Sequence, residues 1–461
     1  MPPMTFQIEI TYRVAFRRSA SHFCDENAIS NSILLNGEGI LQCQSGCAGS
    51  ITSMSYYCTD FSDTEDWTTG VRSVKFTFPT SVENTYHFGF SGCCWIALNE
   101  AGASAGWILR TMANITPRND TGKINSSPVS AMQPIVRFIY GCSYSLRIQV
   151  ADDDGDTVRC RWAKNTPDDE CSDVCNTFSG SNLDEAACVL QYNATGLTGW
   201  YAVALQLEDY FSPTDTIPLS SVPLQFLIEV THSAEPCTSR PVFPPNIITD
   251  GSVHHILANN VFNVSIYARS GAETLRVTAI DTVSPIGMIK SQLYPHGTSG
   301  REWFVVATWI PTLSQTGSSV FCFTAVDNIG QTSDQICGTL VVHGETLPST
   351  TTTILSTQSK PDISTHSDSG PLATALPNNE ENTLLIAGVA VGGLAIFGVS
   401  AFVIARVLGF GKSAQIWASS FKPDKSMINT NVNADNFYCL DYKGEYVSTT
   451  PAKSHAFSNV I

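Results

Sequence analysis

Four carboxylates crowd a single turn, Asp152-Asp153-Asp154-Gly155-Asp156. Carboxylate oxygens are hard ligands, so Asp152, Asp154 and Asp156, at alternate positions around a glycine, are the candidate Ca2+ site of the chain. The loop is not an EF-hand. With Gly155 at the invariant glycine position, Val150 would open the loop and Arg161 would close it, and neither supplies a carboxylate. The competing reading is a solvated acidic turn, since Asp and Gly favour turns with no metal present. No other cofactor is implied, and no enzyme. H-E-x-x-H, G-x-S-x-G and the Walker A loop do not occur, and Gly37-Glu38-Gly39-Ile40-Leu41-Gln42 only begins like a dinucleotide loop. His254 and His255 read as a surface pair on a loop.

Covalent chemistry is the second signal. Fourteen of the fifteen cysteines precede residue 384, an even number that fits oxidised pairs made in the secretory pathway. Asn114, Asn119, Asn125, Asn193 and Asn263 each satisfy N-x-[ST] in the same region and are candidate glycosylation sites. Cys322 and Cys337 flank a turn at Asp327 on neighbouring strands, close enough to be bridged. The segment holding them has a third cysteine, Cys237, and the segment before it has five. Cys237 is therefore expected to bridge back to Cys142. Cys93 and Cys94 are expected to enter two separate bridges, with a vicinal disulfide between them as the alternative.

The elements that must position these groups read as strands. Phe6, Ile8, Ile10, Tyr12, Val14 and Phe16 alternate with Thr5, Gln7, Glu9, Thr11 and Arg13, the period-two pattern of a half-buried strand. Similar runs recur with turn residues between them, and no helical periodicity appears before residue 384. Composition divides the chain into a Cys-rich β domain at 1–125, a β-sandwich with the acidic turn at 126–232 and a second at 237–344. A Ser/Thr/Pro-rich stalk follows at 345–382, then a transmembrane helix at 383–406 and a tail at 407–461.

The two sandwiches read as copies of one module. Ala151 and Ala268 open matching turns 117 residues apart, and VALQLED and FCFTAVD end at Asp209 and Asp327, 118 apart. About 110 residues of strand and turn fit an Ig-like or cadherin-like sandwich. Trp162, Trp200 and Trp309 are expected in the cores. The turns Asp152-Asp153-Asp154-Gly155-Asp156-Thr157 and Ala325-Val326-Asp327-Asn328-Ile329-Gly330-Gln331-Thr332-Ser333 resemble those of cadherin-like repeats. The whole order is similar to single-pass cell-surface proteins with such repeats, a stalk and a short tail. That resemblance implies an all-β ectodomain of tandem Ig-like/cadherin-like sandwiches plus one transmembrane α-helix. Classical cadherin adhesion does not transfer, because D-x-N-D-N and L-D-R-E are missing.

Leu384–Ala405 is 22 residues without a charge. At ~1.5 Å per residue it crosses a hydrocarbon core of ~30 Å. Glu380 and Glu381 precede it, Arg406 and Lys412 follow, and positive charge marks the cytoplasmic side. Six basic and four acidic residues lie beyond residue 405, so a net charge of −16 overall leaves −18 before the span. That acidity excludes a nucleic-acid partner. The opening strand stands where a cleaved signal would be, so the sequence is expected to lack its first exon, the alternative being that the span itself acts as the insertion signal. Fourteen Ser or Thr among 38 residues at 345–382 describe an O-glycosylated stalk. Gly388 and Gly392 permit close helix–helix approach and a homodimer.

The chain thus reads as a type I single-pass glycoprotein of the plasma membrane, its N-terminus extracellular and its C-terminus cytoplasmic. Its expected role is adhesion or recognition of an extracellular protein or glycan. The alternatives are a signalling receptor using Tyr438, Tyr442 and Tyr446, or a mucin-like structural coat protein.

Overall fold

The computed structural model describes residues 6–78 and 84–344, with the backbone of 456–460. The expected stalk, the expected membrane span with Gly388 and Gly392, and most of the expected tail lie outside the described residues. No helix among the described residues is long and apolar enough to cross a membrane. The fold is almost entirely β. Its α-helix, Glu26–Ser30, is one turn capped by Asp25, whose carboxylate accepts from Ala28 N.

In the first module the N-terminal alternation becomes β1 (Phe6–Arg17), burying Ile10, Tyr12, Val14 and Phe16 while Gln7 and Glu9 face water. β2 (Tyr56–Ser62) and β3 (Trp67–Phe78) complete its sheet in the order β2-β3-β1. A second set pairs β4 (Thr85–Cys93) with β5 (Gly106–Asn114) and with the shorter strand Ile40–Ser45. One core joins both sets, with Trp67, Trp95, Trp107, Phe78 and Phe90 fully enclosed. Ala456–Val460 lies antiparallel along β1, Val460 opposite Tyr12.

The second module has strands β6 (Ile135–Ile139), β7 (Ser143–Arg147), β8 (Thr157–Trp162), β9 (Ser181–Asp184), β10 (Val189–Asn193), β11 (Gly199–Tyr210) and β12 (Ser220–Thr231). One sheet is ordered β6-β12-β11-β8, with β6 parallel to β12, and the other β7-β10-β9. In the third module, strands β13 (Ser252–Leu257), β14 (Phe262–Arg269), β15 (Val277–Val283), β16 (Ile289–Lys290), β17 (Glu302–Trp309), β18 (Gly317–Asp327) and β19 (Ile336–His343) repeat the plan. Here the order is β13-β19-β18-β15, again with a parallel first pair, and β14-β17-β16 forms the second sheet. Two sheets with this strand order are the Ig-like sandwich arrangement. Trp309 is buried in its core, whereas Trp162 and Trp200 are only half-buried at cluster margins. His254 and His255 belong to β13, not to a loop, and His255 Nδ1 lies 2.8 Å from His343 Nε2.

Seven disulfides use all fourteen described cysteines. Within the first module they are Cys24–Cys58, Cys43–Cys47 and Cys93–Cys94. The expectation of separate bridges for Cys93 and Cys94 is corrected: the other four thiols of the module already pair among themselves. Cys160–Cys188 and Cys171–Cys175 lie in the second module. Cys322–Cys337 joins directly opposed residues of β18 and β19, and Cys142–Cys237 joins the start of β7 to the linker after β12.

The modules do not hang separately. β5 pairs with β12, Ala113 opposite Ser220, so strands of the first two modules form one sheet. Asp60 of β2 is 2% exposed and reaches into the third module. It accepts from Thr282 N (2.6 Å), Thr282 Oγ1 (2.9 Å) and, through both oxygens, Lys290 Nζ (2.8 Å). Nearby, Arg137 of β6 pairs with Glu65 of the first module (3.1 Å) and Glu229 of β12 (2.9 Å).

Asp281 is buried against this cluster. Burial pushes its carboxyl up to about 7 against the pull of Lys290, and Glu65 and Asp60 add to the rise. An unfolded Asp titrates near ~3.9, so the folded chain holds an extra proton between the two values. Stability is then greatest at the acid end and falls as pH rises through that window, by at most ~1.4 kcal/mol per unit. Asp281→Asn is expected to flatten this slope and raise the melting temperature near neutral pH. Melting curves of the full chain across that window check it; an unchanged slope in the variant assigns the pH dependence elsewhere.

Candidate functional site

The acidic turn sits between β7 and β8, next to the segment that follows β5. Gly155 adopts φ +79°, a conformation that a side chain at this position would strain. Asp152 Oδ1 accepts from the backbone N–H groups of Asp154 and Asp156, both at 3.0 Å, which closes the turn locally. Asp152, Asp154 and Asp156 each bring a carboxylate oxygen within 4.8 Å of the others, so the three sequence candidates do share one locus.

A residue that the sequence did not single out occupies the centre of that charge. Arg118, 7% exposed, donates to both oxygens of Asp156, one at 2.9 Å, and lies 3.4 Å from Asp154. It also donates to both oxygens of Asp120, at 3.0 and 3.1 Å, and to Asn125 Oδ1 at 2.9 Å. Hydrogen bonds to Asp156 and then Asp120 push its guanidinium further above its ordinary range. Behind the turn, Asp209 is fully buried and accepts from Asn125 Nδ2 (2.6 Å) and from Ser220 N and Oγ (both 2.7 Å). Burial raises the carboxyls of Asp209 and Asp152, and Asp152 Oδ2 finds no partner among the described residues. A planar, delocalised guanidinium thus supplies the positive charge that a bound cation would otherwise bring. Arg118 lies more than thirty residues upstream in a loop, with no spacing rule to tie it to the turn.

The sequons separate by environment. Asn119, Asn193 and Asn263 are exposed, while Asn114 and Asn125 are half-buried. Both hydrogens of the Asn125 amide are committed, to Asp209 and to the Ser126 carbonyl.

The first module decides the relationships of the chain. Residues 2–116 match the family of the integrin beta-like protein A-E N-terminal domain. The match ends just past β5 and so covers that module. Integrin beta-like protein C of Dictyostelium discoideum is 28% identical over 151 residues, 32% of this chain and 7% of that protein. Integrin beta-like protein A of the same organism is 26% identical over 157 residues, 33% of this chain and 8% of that protein. The chain therefore matches less than a tenth of the length of either relative. These matches are to integrin beta-like proteins and not to the cadherin repeats that the turn motifs resemble. Among solved structures, the N-terminal Ig1-2 module of the Drosophila receptor protein tyrosine phosphatase DLAR is similar at 13% identity and TM-score 0.19, covering 47% of this chain and all of that one. At that score the superposition carries no argument; the Ig-like order rests on the strand pairings above.

Two outcomes are expected. Millimolar calcium should leave the melting temperature of the unaltered chain unchanged, because Arg118 already neutralises the turn. Arg118→Ala should cost about 3 kcal/mol by stranding its carboxylates, and calcium should then restore part of the loss. A calcium-dependent rise in the unaltered chain would show that the metal displaces the arginine. Glycopeptide mapping should find glycans at Asn119, Asn193 and Asn263 and none at Asn125, since a glycan there would break the contact to Asp209.

Proposed function

We propose that this chain is a cell-surface adhesion or recognition protein that binds an extracellular protein or glycan. The match of the first module to the integrin beta-like N-terminal domain carries the reading. A rigid all-β unit closed by seven disulfides supports it, as the secretory pathway is where such bridges form and persist. The ligand would meet a preformed surface, with little ordering cost on binding.

The anchor is Leu384–Ala405, placing the C-terminus in the cytoplasm. That topology excludes the pairing of Ala456–Val460 with β1, because the bilayer would lie between them. Magnitudes favour the span. Twelve Leu, Ile, Val and Phe side chains in the segment, at ~0.3–0.6 kcal/mol each, contribute roughly 4–7 kcal/mol to insertion. A five-residue strand set between β1 and β12 exchanges hydrogen bonds with water for hydrogen bonds with its neighbours, and the cost of ordering its backbone, about 1–2 kcal/mol per residue, offsets most of that gain.

Non-adherent cells displaying the full chain, with an epitope fused after Ile461, test the proposal. They are expected to aggregate or to capture other cells, and to stain for the epitope only after permeabilisation. Cells that stay dispersed and capture nothing sink the adhesive reading. Staining of intact cells sinks the anchor.

A further inference from the structure

Between the second and third modules lies a cleft of about 340 Å³, in the size class of small-ligand pockets. One wall is β6 and β7, the other is the segment 332–336 entering β19. The Cys142–Cys237 bridge braces both, since Cys142 immediately precedes β7 and Cys237 lies three residues before Arg240, which also lines the cleft. Tyr144 stacks on Phe138 with ring centroids 3.9 Å apart, and the Arg240 guanidinium lies 5.5 Å above the Tyr144 ring. Arg240 is spent on the wall itself, donating to the Thr332 carbonyl (2.8 Å) and to Asp334 (2.9 Å).

Three groups in this cleft have no such commitment. Gln133 is 5% exposed and its Nε2 has no partner; Thr324 is 7% exposed and its Oγ1 has none. Leaving such groups dry and unpaired is costly, so a ligand oxygen that reaches them recovers stability. Arg147, exposed at the end of β7, carries no ion pair among the described residues, in a segment of the chain whose net charge is −18. The rest of the lining mixes the hydroxyls and amides of Ser143, Ser145 and Gln149 with apolar Ile135 and Leu146, and its two carboxylates are already engaged, Asp334 by Arg240 and Asp250 by the Cys337 N–H.

We infer that this cleft binds an acidic saccharide, with the sugar carboxylate on Arg147 and ring hydroxyls on the Gln133 and Thr324 side of the cleft. Hydroxyls and amides in the walls suit a polyol, because each ligand hydroxyl both donates and accepts. The inference rests on the surface-recognition reading but is measured without cells, so either can fail while the other stands.

The test is a saturation-transfer NMR titration of the full chain in detergent with D-glucuronate, D-glucose, acetate and glutamate. Glucuronate is expected to bind saturably and about tenfold or more tightly than glucose, the margin of one charge-assisted contact. Arg147→Ala, at an exposed position that leaves the fold intact, should reduce glucuronate to the level of glucose. Gln133→Leu should weaken both sugars. Acetate or glutamate binding as tightly as glucuronate would mean that the cleft takes any carboxylate and would overturn the assignment. So would glucuronate binding that survives Arg147→Ala.

Discussion

The architecture turns on one carboxylate. Asp60 sits in a strand of the first module, is nearly inaccessible to water, and has its partners, Thr282 and Lys290, in the third. Without it, the third module would keep its linker, the Cys142–Cys237 bridge, its contacts with the second and the packing of Glu26–Ser30 against β16, but no polar anchor to the first. Arg137 continues the connection by joining Glu65 to Glu229, so charged groups of all three modules meet around one locus. A buried ion pair adds little net stability, yet removing one member strands the other at a cost of about 3–5 kcal/mol. Such contacts therefore fix an arrangement more than they strengthen it. The modules have one way to sit together, and the cleft between the second and third inherits its shape from that.

Much of the secondary structure was legible because it rests on local periodicity. The alternation from Phe6 to Phe16 needs only a core on one side, and β1 buries that face. The repeated offsets between the two sandwiches reflect strands in equivalent places, which is why Asp209 and Asp327 both stand near the ends of long strands that turn back into β12 and β19. What the sequence could not give is what depends on distant segments meeting. Arg118 enters the acidic turn from a loop after β5, and no spacing encodes that approach. Trp162 and Trp200 have the right residue type and sit in long strands, but their strands meet the margin of a cluster rather than its centre. The four-residue loops Cys43–Cys47 and Cys171–Cys175 were equally hidden, because parity arguments count thiols without locating them. Asp60 is one polar residue among several in its strand, and nothing local marks it.

The bridge from Cys142 to Cys237 has a mechanical meaning. A load applied at the first module and resisted at the C-terminal end must travel along the backbone. At Cys142 it meets a covalent shortcut to Cys237, 95 residues on. Most of the second sandwich lies inside that closed loop; β6 and the pairing of β5 with β12 stand outside it and bear the load first. Pulling can therefore extend the first and third modules while the looped part of the second stays folded as a slack bystander, and the chain yields less length than its residue count suggests.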